Sequence, residues 1–151
     1  MRWTDFGIAV VAGLAAGTID IGSACLINHL PPVVILHAIA SGLYGRNAFT
    51  GGLPMAAVGL ILQWAMSILI AGIYVAAATR LRWLTTRWLA GGLAYGVGIY
   101  VVMTFVVVPL SQAVSGGHHT VLWMLENLLA MLLFGLIVST LNAFARLRRR
   151  A

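Results

Sequence analysis

Charge is what this sequence has least of. Only 8% of its 151 residues are charged, whereas a soluble domain carries about a quarter. There is no lysine, and the acids number three (Asp5, Asp20 and Glu126) against nine arginines. So few charges cannot cover a water-soluble globule, and a hydrophobic content of 62% excludes a disordered chain. Cysteine is nearly absent too. Cys25 alone permits no internal disulfide and no paired-cysteine redox or zinc motif. Also missing are a metalloprotease His-Glu-x-x-His, a nucleophile elbow, a phosphate-binding loop and a dinucleotide fingerprint. No enzymatic role and no cofactor are therefore expected.

What is present is apolar sequence in long runs. Residues 6–27, 53–79, 88–110 and 121–144 are each long enough to cross about 30 Å of hydrocarbon at 1.5 Å per residue. Their hydrophobic residues are continuous rather than alternating, which excludes barrel strands. The expected fold is all-α: one polytopic domain over residues 1–151, a bundle of four transmembrane helices. A shorter apolar stretch, residues 33–44, cannot span. Pro31-Pro32 sets it off from the first run, and it is expected as an interfacial or re-entrant helix closing the outer end. Gly22-Ser23-Ala24-Cys25 has the form of a lipoprotein processing site. However, the basic start is only Arg2, and Asp20 interrupts the apolar stretch, so the N-terminus is expected to stay uncleaved.

The arginines orient the bundle. Arg2, Arg80, Arg82, Arg87, Arg146, Arg148, Arg149 and Arg150 fall on one side of the four runs, and Arg46 alone on the other. Positive charge gathers on cytoplasmic loops, so both termini are expected there. Trp3, Trp83 and Trp88 mark that boundary and Trp123 the outer one. The net charge of +6 lies beside apolar runs, so its partner is expected to be an anionic bilayer surface and not nucleic acid.

Within the spans, Gly13 with Gly17 and Gly92 with Gly96 form two GxxxG pairs, spacing that lets helix backbones approach closely. The pairs echo one another in span one and span three, and the echo is read as convergent packing. Gly13, Ala16, Gly17, Asp20 and Ala24 share one helical face; Gly59, Gln63, Ser67 and Tyr74 share another. A carboxyl group inside a span is costly, which singles out Asp20 and Glu126. At 1.5 Å per residue both lie roughly 8–10 Å below the outer surface. Either they meet and share a proton, or Arg46 folds back to neutralise one of them, with Gln63 extending the polar line deeper. The alternative, favoured for Glu126, is that each is protonated or bonded to a neighbouring helix and only fixes register. His29, His37, His118 and His119 also belong to the outer side. Their spacing fits no established metal or haem pattern, so they are weak candidates as ligands.

Four segments together resemble a family of small four-pass bacterial inner-membrane proteins of unassigned activity. They are Gly13-Leu-Ala-Ala-Gly-Thr-Ile-Asp20; Ile39-Ala-Ser-Gly-Leu-Tyr-Gly45 with Ala48-Phe-Thr-Gly-Gly52; Gly59-Leu-Ile-Leu-Gln-Trp64; and Met103-Thr-Phe-Val-Val-Val-Pro-Leu-Ser111. The resemblance implies the fold and the location. It also marks a departure, since the family often has His-Phe where this chain has Gln63-Trp64. The leading expectation is a protein that moves or senses a small solute or proton through its outer-side polar cluster. The alternative is a non-catalytic accessory subunit, or one that associates with its own copies, docking through small-residue faces. Haem or metal binding comes third.

Overall fold

The computed structural model describes residues 3–112 and 120–148, and these form an all-α bundle. Helix α1 is Trp3–Asn28, α2 is Pro32–Tyr44, α3 is Gly52–Arg80, α4 is the single turn Trp83–Thr86, α5 is Trp88–Val102, α6 is Val108–Leu110 and α7 is Val121–Arg148. A turn of 3-10 helix, Gly45–Thr50, joins α2 to α3, and a π-helical turn, Met103–Val107, joins α5 to α6. Four helices are long and apolar enough to cross a membrane: Thr4–Asn28, Gly52–Arg80, Trp88–Leu110 and Val121–Arg148. The second and fourth run on through Arg80 and Arg148, past the apolar runs. Cations in a last turn suit the negative end of the helix dipole, so the helix continues beyond its hydrocarbon stretch.

Local chemistry sets the other ends. Pro31 and Pro32 start α2, where a missing N–H costs nothing. Gly45 ends it at φ +56°, a conformation that suits glycine. Thr120 caps α7, its Oγ1 accepting from the Trp123 N–H at 3.2 Å. In the third span Pro109 has no N–H to donate and crowds the carbonyl one turn back. The widened turn Met103–Val107 lies just ahead of it, with the Val108 N–H bonding the Met103 carbonyl.

The bundle is built inside out relative to a soluble one. Its buried residues are mostly small, such as Ala12, Ala16, Ala71 and Ser139, while Ile61, Leu69, Phe105 and Leu129 point outward, 59–65% exposed. That is the pattern of helices packed in lipid, where large apolar side chains gain nothing by turning inward. α1 packs on α3, α5 on α7 and α1 on α7, whereas α3 and α5 do not pack closely. Each hairpin uses its GxxxG pair in the same way. A Cβ on Gly13 would lie 2.5 Å from the Ile68 Cα, and one on Gly17 would meet the Ser67 Oγ. A Cβ on Gly96 would lie 2.6 Å from the Met131 carbonyl, and one on Gly92 would meet the Ser139 Oγ.

Closure is uneven along the bundle axis. At the arginine-rich end Ala12, Ala16, Ala71, Tyr74, Ile99 and Val138 belong to one buried cluster. Tyr74 and Tyr95 fill the gap between α3 and α5 there, their rings edge to face at 5.0 Å. Tyr95 Oη also donates to the Ile70 carbonyl at 2.6 Å. The opposite end is looser, and α2 crosses it. The Leu36 carbonyl sits where a Gly59 Cβ would be, so α2 rests on α3 backbone to backbone. The Gln112 N–H reaches the Gly42 carbonyl at 3.0 Å, fastening α2 to the end of the third span. The short apolar segment is therefore a helix folded onto the bundle, starting one residue earlier than its apolar pattern.

Candidate functional site

Under α2, between all four spans, lies a cavity of about 870 Å³. Its apolar wall includes Ala24 of α1, Ala38 of α2, Met66 of α3, and Met103 and Val107 of the π-helical turn. Its polar groups are few: Gln63 in the wall, and Asn28, Ser111, Thr120 and the Trp123 indole toward the α2 end. No charged side chain lines it among the described residues. Met103 and Ser111 are eight residues apart, so the cavity runs about 12 Å along the third span. The tyrosine-filled half of the bundle then closes it off.

Gln63 links this cavity to a carboxyl group. Its Nε2 donates to Asp20 Oδ2 at 2.8 Å across the α1–α3 seam. The contact follows from the helix face. Gly13 and Gly17 bring the two backbones together, and Asp20, three residues on, projects from the same side toward α3. Next to it the Trp64 indole N–H donates to Thr18 Oγ1 at 3.2 Å. Asp20 is half-buried, beside the cavity wall and not in it.

The other expected members are placed elsewhere. Glu126 is half-buried on α7, one turn beyond Trp123, and no hydrogen bond or ion pair among the described residues joins it to Asp20 or Arg46. Trp123 itself donates to Asn28 Oδ1 at 3.1 Å, tying α7 to the end of α1. Antiparallel helices paired at 28 and 123 put Glu126 level with Cys25, so Asp20 lies deeper by about 7 Å. Arg46 is exposed on the 3-10 turn, with no ion pair to a described residue. Equal distance from the span ends therefore did not bring the carboxyls together.

The two described histidines occupy different settings. His29 is exposed in the α1–α2 link at φ +52°. His37 is buried, its Nε2 2.8 Å from the Gly52 carbonyl, which can only accept, so this nitrogen carries the proton. That bond holds the first residue of α3 against α2. His118 and His119 lie outside the described residues. Among those described, no three of His, Cys, Asp and Glu come together as metal ligands.

Sequence reasoning missed the cavity wall. Met66, Met103 and Val107 look like ordinary span residues, and only Pro109, near the C-terminal end of the third span and just past the π-helical turn, marks this region as different. A second polar group sits at the arginine-rich end. Asn142 is fully buried, with Arg146 Nε donating to its Oδ1 at 3.0 Å and Arg146 Nη2 near the Val75 carbonyl at 3.4 Å. Comparisons with family models, curated proteins and solved structures returned no match for this chain.

Proposed function

We propose that this chain is a multi-pass protein of a bacterial inner membrane, both termini cytoplasmic, that binds a small solute in the cavity beneath α2. In this reading it moves or senses that solute and catalyses no reaction. The observation that carries the proposal is the Gln63–Asp20 bond. Among the described residues, the only side-chain amide reaching the cavity from mid-span is bonded to a half-buried carboxyl between two helices, so an occupant that engages Gln63 also perturbs Asp20. The asymmetric arginines support this orientation, in which the cavity belongs to the outer half. Its volume falls within the roughly 300–1,000 Å³ typical of small-molecule sites, and its apolar wall with few polar groups is typical as well.

The test is thermal unfolding in detergent against a panel of sugars, amino acids, organic cations and neutral amphiphiles, using wild type and the cavity-filling variants Ala38→Phe and Val107→Phe. A ligand at a hundredfold excess over its Kd adds about 2.7 kcal/mol, which raises the midpoint by roughly 5–10 °C in a chain of this size. Wild type should respond to at least one class and the filled variants to none. Asp20→Asn should fold and still bond Gln63 but lose any pH-dependent part of the response. If no compound shifts wild type more than the filled variants, the cavity is not a binding site.

A further inference from the structure

Resting on that reading, we infer that the occupant is a single-chain neutral amphiphile with a hydroxyl head, entering sideways from the bilayer between α3 and α5. Four features of the cavity support this. The wall is hydrocarbon over most of its 12 Å length, so it suits a chain or ring system better than a hydrated solute. No charged side chain lines it among the described residues, so a full charge on the ligand would be left without a counterion in a medium of low dielectric.

Of the polar groups that line the cavity, Gln63 lies deepest along the apolar wall and chooses the head. Asn28 lies at the α2 end and is anchored there, one N–H donating to the Ala24 carbonyl at 2.9 Å and its Oδ1 accepting from Trp123, which leaves it one N–H and no unshared oxygen. Gln63 spends one N–H on Asp20. That leaves its second N–H and its Oε1, a donor beside an acceptor. A hydroxyl offers the same two functions in return, whereas an ammonium only donates and a carboxylate only accepts.

The route follows from packing. α1 meets α3, α5 meets α7 and α1 meets α7 at close range, while α3 and α5 do not. At the arginine-rich half Tyr74 and Tyr95 fill that gap. In the cavity half it is flanked by Met66 and Met103, unbranched side chains that change shape easily. From the α2 end, by contrast, α2 is fastened over α3 at Gly59 and to the third span at Gly42. The open side therefore faces lipid.

The experiment uses the wild-type chain in phosphatidylcholine liposomes with a monoacylglycerol carrying a diazirine in its acyl chain. After photolysis, peptide mass spectrometry locates the label. Saturable labelling is expected around Met66 and Met103, with at least tenfold less in Ala38→Phe and in Val107→Phe. Unlabelled monoacylglycerol should compete, while oleate and oleylamine should not. If the label is non-saturable and confined to outward residues such as Ile61 and Leu69, the amphiphile assignment fails. Equal competition by oleate or oleylamine overturns the neutral head. For the route, Met66→Cys with Met103→Cys in a Cys25→Ser background is bridged by a bifunctional thiol reagent. Bridging should slow labelling at least tenfold, and unchanged labelling overturns sideways entry. If a water-soluble compound shifts wild type but not the filled variants while no amphiphile labels the wall, the cavity reading stands and this inference falls.

Discussion

Gly96 and Gly98 are two residues apart on α5 and should respond oppositely to the same added methyl group. A Cβ on Gly96 would lie 2.6 Å from the Met131 carbonyl oxygen and 2.7 Å from the Leu132 Cα, where ordinary contact begins at 3.4 Å. Both atoms are backbone, so no rotamer change relieves the clash and α5 must move off α7. Overpacking of this kind costs roughly 1–3 kcal/mol, which for a chain of this length lowers the midpoint by roughly 3–10 °C. A Cβ on Gly98 meets nothing within 4 Å. There the better helix propensity of Ala should leave stability unchanged or raise it by up to about 1 kcal/mol. The first hairpin provides an internal check. A Cβ on Gly17 meets side-chain atoms of Ser67 most closely, whereas one on Gly13 meets the Ile68 backbone. Ser67→Gly should therefore recover at least half of the loss in Gly17→Ala and none of that in Gly13→Ala. The measurement is thermal unfolding in detergent, followed by circular dichroism. Equal melting of Gly96→Ala and Gly98→Ala would refute the α5–α7 seam described here.

Three further outcomes follow. Gly59→Leu removes the seat of the Leu36 carbonyl, so hydrogen exchange over residues 32–44 should rise at least tenfold; Gly22→Leu, open on all sides, should leave it unchanged. Tyr95→Phe removes the extra bond to the Ile70 carbonyl but keeps the ring contact with Tyr74, and should cost roughly 0.5–1.5 kcal/mol in the same unfolding assay. Reporter fusions at residues 84 and 151 should read cytoplasmic and fusions at 47 and 116 periplasmic; a cytoplasmic result at 47 would mean that α1 does not cross.

The fold was legible because its determinants are local. Apolar run length places four spans, Pro31-Pro32 separates α2, and helical periodicity puts Gly13, Gly17 and Asp20 on one face, which the α1–α3 seam uses. The partner of Asp20 was harder to read. Depth along the spans made Glu126 eligible, Arg46 could fold back as the outer cation and Gln63 lay a little deeper, but the choice between them depends on which way each helix is rotated. The glycines fix that for α1, turning Asp20 toward α3 and away from α7. His37 illustrates the same limit. Its neighbours in sequence group it with the outer histidines, yet its partner is a backbone carbonyl fifteen residues on. The cavity was the least legible feature, because it arises where two helices fail to pack and no single residue encodes a gap.

The position of the Asp20–Gln63 bond in this uneven bundle gives it leverage that neither residue has alone. On the side of the arginines, α1 and α3 are held close through Gly13 and Gly17, and the buried alanines and the Tyr74–Tyr95 pair fill the interior. On the other side, Ala24 faces the cavity, Met66 and Met103 flank it, and α2 is fastened over the end at Gly59, Gly42 and His37. The bond sits at the border between the two. Interhelical hydrogen bonds in a membrane contribute on average about 0.6 kcal/mol and at most about 2 kcal/mol, too little to hold the bundle together but comparable with what a ligand's head group supplies. An occupant competing for Gln63 therefore has enough energy to loosen the α1–α3 seam on the cavity side while the glycine-packed half stays shut. Double substitution of Asp20 and Gln63 to Leu tests this. The folded bundle should survive, because the glycine seam carries the packing, but ligand binding should no longer change hydrogen exchange in α1 beyond Gly17. Exchange there that still responds to ligand would mean that the coupling runs through α2, and that the polar pair only fixes helix register.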